Sequence, residues 1–367
     1  SDGGFESAGL VPMHLSAVQR ILGILLMVFS LSMLPPVLVS LWYQDGATTP
    51  FLFGFLVVFI VGATIWLPVR NTRRELRSRH GFVIVVMFWF VLGLSGSLPL
   101  MFAHSPNMSL TDAVFESISG LTTTRATVIV GIDELQRSIL YYRQQLQWLG
   151  GLGIVVLAVA ILPMLGIGGM QLYRAETPGP VKDSKLTPRI AKTAKSLWLI
   201  YLIITVLCAL SYWAAGMDVF DAVCHSFSTV AIGGFSTHDA SVGIFDSAAI
   251  EYVAIVFMLV AGVNFSLHFL AWERIRISLH LEIRGCRPRL RARRRSFSAT
   301  GAFRHYAQDS EFHAYVRILA ALALVTIVYL YMDGQYATWS ESFRKNLRSP
   351  SNPRRSPPAF CRTRKLS

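Results

Sequence analysis

The sequence predicts an all-α integral membrane protein built from helix–polar loop–helix units. Three observations carry this reading. Hydrophobic residues make up 53% of the 367 and charged residues only 15%, whereas soluble domains carry about 25% charged residues; the mean hydropathy is +0.48. Apolar runs of membrane length recur along the chain. A short polar segment between two such runs occurs twice: 111–127 (TDAVFESISGLTTTRAT) lies over 220–236 (FDAVCHSFSTVAIGGFS). In that alignment Asp112, Ala113, Val114, Ser117 and Ser119 meet Asp221, Ala222, Val223, Ser226 and Ser228. A short polar loop repeated between membrane helices is what a pore lining needs.

A bilayer core of about 30 Å is crossed by roughly 20 apolar residues. The runs that meet this are 21–42, 51–68, 82–103, 139–165, 197–215, 248–272 and 315–332. The first contains Pro35-Pro36, so a kink is expected there. The fourth is rich in glycine at Gly150, Gly151 and Gly153. The twelve residues at 1–12 lack a starting Met, and Met13 is the more natural start, so they are expected to be a leader remnant. The first run is too long for a signal-peptide core and is kept as a membrane helix.

The net charge of +13 is not a nucleic-acid signature, because the basic residues fall between the apolar runs. The segments 70–80, 173–195 and 273–304 hold the arginines and lysines, and 43–50, 103–135 and 217–246 are neutral or acidic. The alternation puts both repeated loops on the outer face. Each holds a segment of about ten residues, which as a helix reaches about 15 Å, half the membrane. Asp112 and Asp221 suit an N-cap for these half-helices. Non-helical backbone at membrane depth survives only inside protein or against a water-filled cavity, so each loop is expected to be re-entrant.

Other chemistry is thin. Cys208, Cys224, Cys286 and Cys361 show no ligand spacing, which gives no disulfide framework and no metal site. His225, His238 and Asp239 are expected to hydrogen-bond at the outer mouth rather than hold a metal. Asn264 and His268 are expected to bond between helices, with ion-path lining the lesser option. Gly150-Gly151-Leu152-Gly153 lacks the strand and Lys-Ser/Thr context of a phosphate loop and fits close helix packing. No nucleophile–base set or paired carboxylate suggests an enzyme.

The units resemble the helix–pore loop–helix repeats of the Trk/Ktr/HKT potassium transporter superfamily. The resemblance rests on SGLTTTRATVIVGIDEL, on YRQQLQWLGGLGIVVLAVAILPMLGIGGMQLYRAETPGPVKD, on HSFSTVAIGGFSTHDASVGIFDS and on VNFSLHF, and covers roughly 13–272 and 305–346. It implies an accessory helix pair at 13–80, a first pore repeat at 81–172, a cytoplasmic loop at 173–195 and a second repeat at 196–272. A basic insertion follows at 273–304, then a third repeat, only begun, at 305–346. It also implies potassium as the transported ion, a homodimer in membrane lipid, a cytoplasmic nucleotide-binding regulatory subunit (TrkA-like), and the bacterial inner membrane. Flux down the gradient and symport with protons both stay open.

A potassium filter replaces the ion's water shell with backbone carbonyls. The resemblance places this role on Thr122, Thr123, Thr124 and Arg125 in the first loop and on Ala231, Ile232, Gly233 and Gly234 in the second. Arg125 stands where the family pattern expects a glycine. Facing the pore, its guanidinium repels potassium, and its Cβ resists a glycine-like torsion; snorkelling outward is the other placement. From Leu347 the chain leaves the family pattern, and the basic, Pro-rich tail at 347–367 is expected to be disordered and a frameshift product. The basic insertion is expected to be a solvated loop, with a lipid-headgroup anchor the lesser option. The expected function is Trk-type potassium uptake, impaired here by truncation and Arg125. The alternative is a non-transporting membrane protein that binds full-length subunits or the regulator.

Overall fold

Helix α1 (Leu15–Ser30) gives way to a 3-10 turn at Leu31–Met33 before α2 (Leu34–Tyr43). The break falls where Pro35 and Pro36 demand it. Neither has an N–H, and a proline ring collides with the carbonyl four residues back. Restarting the helix at Leu34 places both prolines in a first turn, where N–H groups lack helical partners anyway. The computed structural model describes residues 15–71, 78–156, 186–265, 267–269, 271–272, 306 and 309–332. The 1–12 leader, most of the 173–195 loop, the 273–304 insertion and the 347–367 tail lie outside the described residues.

The described residues fall into two units. The first lies within Ser1–Ser119 and Gln136–Tyr142. It holds α1, α2, α3 (Thr48–Trp66), α4 (Ser78–Gly96) and α5 (Leu98–Phe102). The stretches Val18–Tyr43 and Thr48–Val69 are long and apolar enough to cross a membrane. On α3, Leu52, Leu56, Phe59 and Ile60 are exposed, as a lipid-facing helix requires. The third apolar run is not one straight helix: it breaks at Ser97, with Pro99 at the start of α5.

The joint between α1 and α3 is made of glycine. A Cβ on Gly23 would lie 2.8 Å from the Gly62 carbonyl oxygen and 2.8 Å from Trp66 Cβ. A Cβ on Gly62 would lie 2.9 Å from the Gly23 oxygen. The two backbones therefore touch, as small residues allow between membrane helices. Between α2 and α3 the carboxylate of Asp45 organises the turn. It accepts from Ser40 Oγ at 2.6 Å, from Ala47 N at 3.1 Å and from Ser138 N at 2.9 Å.

The second unit lies within Gly120–Leu135, Arg143–Ala160 and Gly179–Ser367. Helices α6 (Leu110–Leu121) and α7 (Arg137–Val156) contribute residues to both units. Then come α8 (Leu186–Ala214), α9 (Val219–Val230), α10 (Ala248–Ala261) and α11 (Ser310–Met332). Of these, α8 contains a third stretch long and apolar enough to cross a membrane, Lys195–Ala214. Its Leu197, Tyr201, Cys208 and Tyr212 pack with Ala222 and Val230 of α9 and with Ile250 and Ala254 of α10.

Two expectations are corrected here. The half-helices are capped three residues earlier than Asp112 and Asp221. Ser109 Oγ accepts from Asp112 N at 3.2 Å, a side-chain N-cap bond, and donates to the Asp112 carboxylate at 2.8 Å. Asp218 accepts from Phe220 N at 3.1 Å. Each aspartate of the repeat thus sits in the first turn, where its charge still suits the helix dipole. The run 248–272 is also not one helix. It stops at Ala261, turns through Gly262, and resumes as helix by Phe265. His268 Nε2 donates to the Val260 carbonyl at 2.9 Å, and Tyr306 Oη bonds His268 Nδ1 at 2.8 Å. The imidazole supplies a donor that the helix end lacks. Asn264 Nδ2 donates to Glu311 Oε2 at 3.0 Å, which is the interhelical bonding expected of that residue.

The glycine joint can be tested by overpacking. Gly62→Val should force α1 and α3 apart and cost about 1–3 kcal/mol. The check is the detergent-solubilised melting temperature, with Leu56→Val at an exposed position of the same helix as a control. Equal melting temperatures for wild type and Gly62→Val would mean the backbones are not in contact.

Candidate functional site

The two half-helices obey one displacement. Leu110 to Val219 and Leu121 to Val230 are both 109 residues, and each helix has 12, a length of roughly 18 Å. The loops that leave them share the same backbone. Thr123 and Ile232 both have φ +54°, and Arg125 and Gly234 have φ +73° and +83°. Thr123 N donates to the Gly120 carbonyl at 3.0 Å, and Ile232 N donates to the Thr229 carbonyl at 3.1 Å. Each pair again lies 109 positions apart. Sequence identity across these positions is low, so the shared backbone is set by the shared environment.

Arg125 takes the left-handed torsion that was expected to resist it. An L-residue there costs roughly 1–2 kcal/mol, which glycine avoids. Its side chain is exposed and runs against the second loop. A Cβ added to Gly234 would collide with Arg125 Nε and would lie 2.8 Å from Arg125 Cδ and 2.9 Å from its Cγ. Gly234 therefore provides the gap that the arginine stem fills.

The other candidate residues divide by exposure. Thr122 and Thr124 are exposed, and their hydroxyls meet at 2.7 Å. Ile232 is exposed, and Ala231 is buried against Gly151 of α7. Gly233 N donates to the Ser228 carbonyl at 2.8 Å, and Gly234 N donates to Ser228 Oγ at 2.9 Å. These bonds turn the Ala231–Gly234 backbone out of the helix with its N–H groups satisfied.

Helix α7 holds both loops, through the glycines expected to pack closely and through polar residues that the sequence reading did not single out. Gly150 lies against the Leu121 carbonyl, where any Cβ would collide, and a Cβ on Gly151 would lie 3.0 Å from Ala231 Cα. The ends of α6 and α9 are thus seated on adjacent glycines. Gln147 is fully buried; its Oε1 accepts from Phe235 N at 3.0 Å. Arg143, also buried, donates to Thr127 Oγ1 at 3.1 Å. The signal was present in the sequence: Arg143, Gln144, Gln145 and Gln147 are costly inside a membrane helix unless they face protein or a cavity.

Beyond the loops lies a clasp. His238 Nδ1 bonds Asp133 Oδ1 at 2.6 Å and its Nε2 approaches Asp221 Oδ2 at 3.3 Å. Asp239 accepts from Ile132 N at 3.1 Å. His225 donates from Nδ1 to the Asp221 carbonyl at 2.9 Å and accepts at Nε2 from Ser236 Oγ at 3.1 Å. This is hydrogen bonding, as expected. Among the described residues no group of three or more His, Cys, Asp or Glu could hold a metal ion.

Partial burial works against the His238 imidazolium, but its hydrogen bonds to Asp133 and Asp221 and their charges outweigh this, and its pKa is raised above the ordinary 6.5. The hydrogen bond from His238 pulls the Asp133 carboxyl below the ordinary 3.8, against a smaller opposing effect of burial.

Comparison with known proteins follows the same lines. The family described as TrkH, cation transport protein, matches residues 48–290. The Trk system potassium uptake protein TrkH of Vibrio parahaemolyticus is 53% identical over 335 residues, which are 91% of this chain and 64% of that protein. The protein of the same name from Halomonas elongata is 56% identical over 326 residues, 89% of this chain and 62% of that one. The crystal structure of the potassium transporter TrkH from Vibrio parahaemolyticus superposes with a TM-score of 0.75 at 48% identity, covering 91% of this chain and 63% of that one. The chain therefore spans less than two thirds of the length of these relatives.

The clasp should respond to pH with a defined sign. A raised histidine pKa contributes stability that is complete below 6.5 and is lost as pH climbs through the folded value. A lowered aspartate pKa contributes stability that is present above 3.8 and is lost as pH falls through the folded value. The clasp is tightest between those limits. The melting-temperature difference between wild type and His238→Ala should be largest at about pH 5–6 and shrink toward about pH 9. A difference that does not change with pH would contradict the charged clasp.

Proposed function

As the chain belongs to the TrkH family of cation transport proteins, we propose that it forms part of a potassium uptake protein of the bacterial inner membrane. In this reading the ion is selected by backbone carbonyls of re-entrant pore loops. The observation that carries it is the matched backbone of the two loops, with left-handed residues at Thr123 and Ile232 and again at Arg125 and Gly234. Two unrelated surface loops would have no reason to share both torsions after half-helices of equal length. Potassium is the substrate, and the names of the relatives support that choice of ion.

Each half-helix ends with its carbonyls toward its loop, and the partial negative charge of a helix C-terminus favours a cation there. The filter residues are Thr122, Thr123, Thr124 and Arg125 in the first loop and Ala231, Ile232, Gly233 and Gly234 in the second. Residues 13–80 form the accessory pair, 81–172 and 196–272 form the first two pore repeats, and 305–346 opens the third. A homodimer and a cytoplasmic nucleotide-binding regulatory subunit complete the assembly. The alternative of a non-transporting protein that binds full-length subunits has no observation in its favour.

Arg125 works against this function. At an effective dielectric of about 20, a unit charge 4 Å from a potassium ion repels it by up to about 4 kcal/mol, close to a thousandfold in rate. The test uses the protein that joins this chain to a third and fourth pore repeat, reconstituted in liposomes. Arg125→Gly should raise potassium flux at least about tenfold, and the Arg125 form should be nearly silent. Equal flux from both forms would remove Arg125 from the ion path. No flux from either would count against the pore reading itself.

A further inference from the structure

The wall behind the loops keeps a charge. Arg143 on α7 is 1% exposed, and a buried guanidinium is costly unless its N–H groups are engaged. Its Nη2 donates to Thr127 Oγ1 at 3.1 Å, and its Nη1 reaches the Ser236 carbonyl at a longer 3.4 Å. Its Cζ stands 4.5 Å from the centre of the Phe235 ring, close enough for a cation–π contact. Thr127 and Ser236 are the same position of the two repeats, 109 residues apart. One side chain therefore grips equivalent points on both loops, two residues beyond Arg125 and Gly234.

Gln147 lies one turn further along the same helix face. Its Oε1 bonds Phe235 N, and a Cβ on Gly233 would lie 2.9 Å from Gln147 Nε2. Two side chains of α7 thus meet the second loop at Gly233, Phe235 and Ser236. The fork of a guanidinium can serve two acceptors at once; an ammonium on a flexible stem is a single point.

We propose that Arg143 is a positioning residue of the pore, a fork that ties Thr127 of the first loop to Ser236 of the second and sets the spacing between them. Its consequence for selectivity rests on the pore reading above; the tie itself does not.

The tie is read on the 1–367 chain in detergent by amide hydrogen exchange. Arg143→Gln should accelerate exchange in both 121–130 and 231–240 by about tenfold, the factor expected for one lost charge-assisted hydrogen bond, while 197–208 of α8 stays protected. Arg143→Lys should not restore protection of both segments, because it keeps the charge and loses the fork. If Arg143→Gln loosens α8 as well, the exposed-site variant Thr127→Val decides: it should accelerate exchange in 231–240, which it does not touch. Unchanged exchange at 231–240 in folded Arg143→Gln or in Thr127→Val, or full rescue by lysine, would overturn the tie. In the conducting form with four repeats and Arg125→Gly, Arg143→Lys should lower potassium-over-sodium preference, read from bi-ionic potentials, by about tenfold; an unchanged ratio would overturn the role in spacing. Should that parent form carry no current, the pore reading fails and the exchange result still judges the tie.

Discussion

Backbone that leaves helical form at membrane depth must find its hydrogen bonds in protein or in a water-filled cavity, because lipid offers none. That constraint organises the second unit. Helices α6 and α9 stop after 12 residues each. Ser228 bonds two successive amides of the second loop through its carbonyl and hydroxyl. Gln147 takes the next one. Gly150 and Gly151 allow α7 to come close enough for these contacts. The loop conformation depends on α7 more than on its own residue types.

This dependence explains how Arg125 can sit where its partner repeat has glycine. The left-handed torsion costs an arginine roughly 1–2 kcal/mol, comparable to one charge-assisted hydrogen bond such as that from Arg143 to Thr127. The surrounding bonds hold the backbone and the side chain follows, running across Gly234, where no Cβ stands in its way. The torsion is kept and the chemistry is changed: a guanidinium stem lies against Gly234 of the second loop.

Much of this was legible in the sequence, because it rests on pattern. The pairs Asp112–Asp221, Ser117–Ser226 and Ser119–Ser228 fixed the repeat length, and both half-helices obey it. The prolines at 35 and 36 fixed the break in the first run, since a missing N–H acts locally. The caps were misplaced by three residues, because serine and aspartate cap equally well and only the bonds from Asp112 N to Ser109 and from Phe220 N to Asp218 decide between neighbours. The break after Ala261 was hidden because the apolar run is continuous in composition while the turn depends on His268 reaching back to Val260. Arg143 and Gln147 were overlooked because a glycine-rich apolar run drew attention to packing, and what they bond in the second loop lies 93 and 88 residues away in the chain.

The central claim is that the two loops present one cation-binding surface, now occupied in part by Arg125. Anomalous diffraction from crystals of the Arg125→Gly protein grown with thallium tests it most directly. The account requires an anomalous peak bordered by carbonyls of Thr122–Thr124 and of Ala231–Gly234, absent when Arg125 is present. A peak of equal height in both forms, or none in the glycine form at saturating thallium, would contradict it.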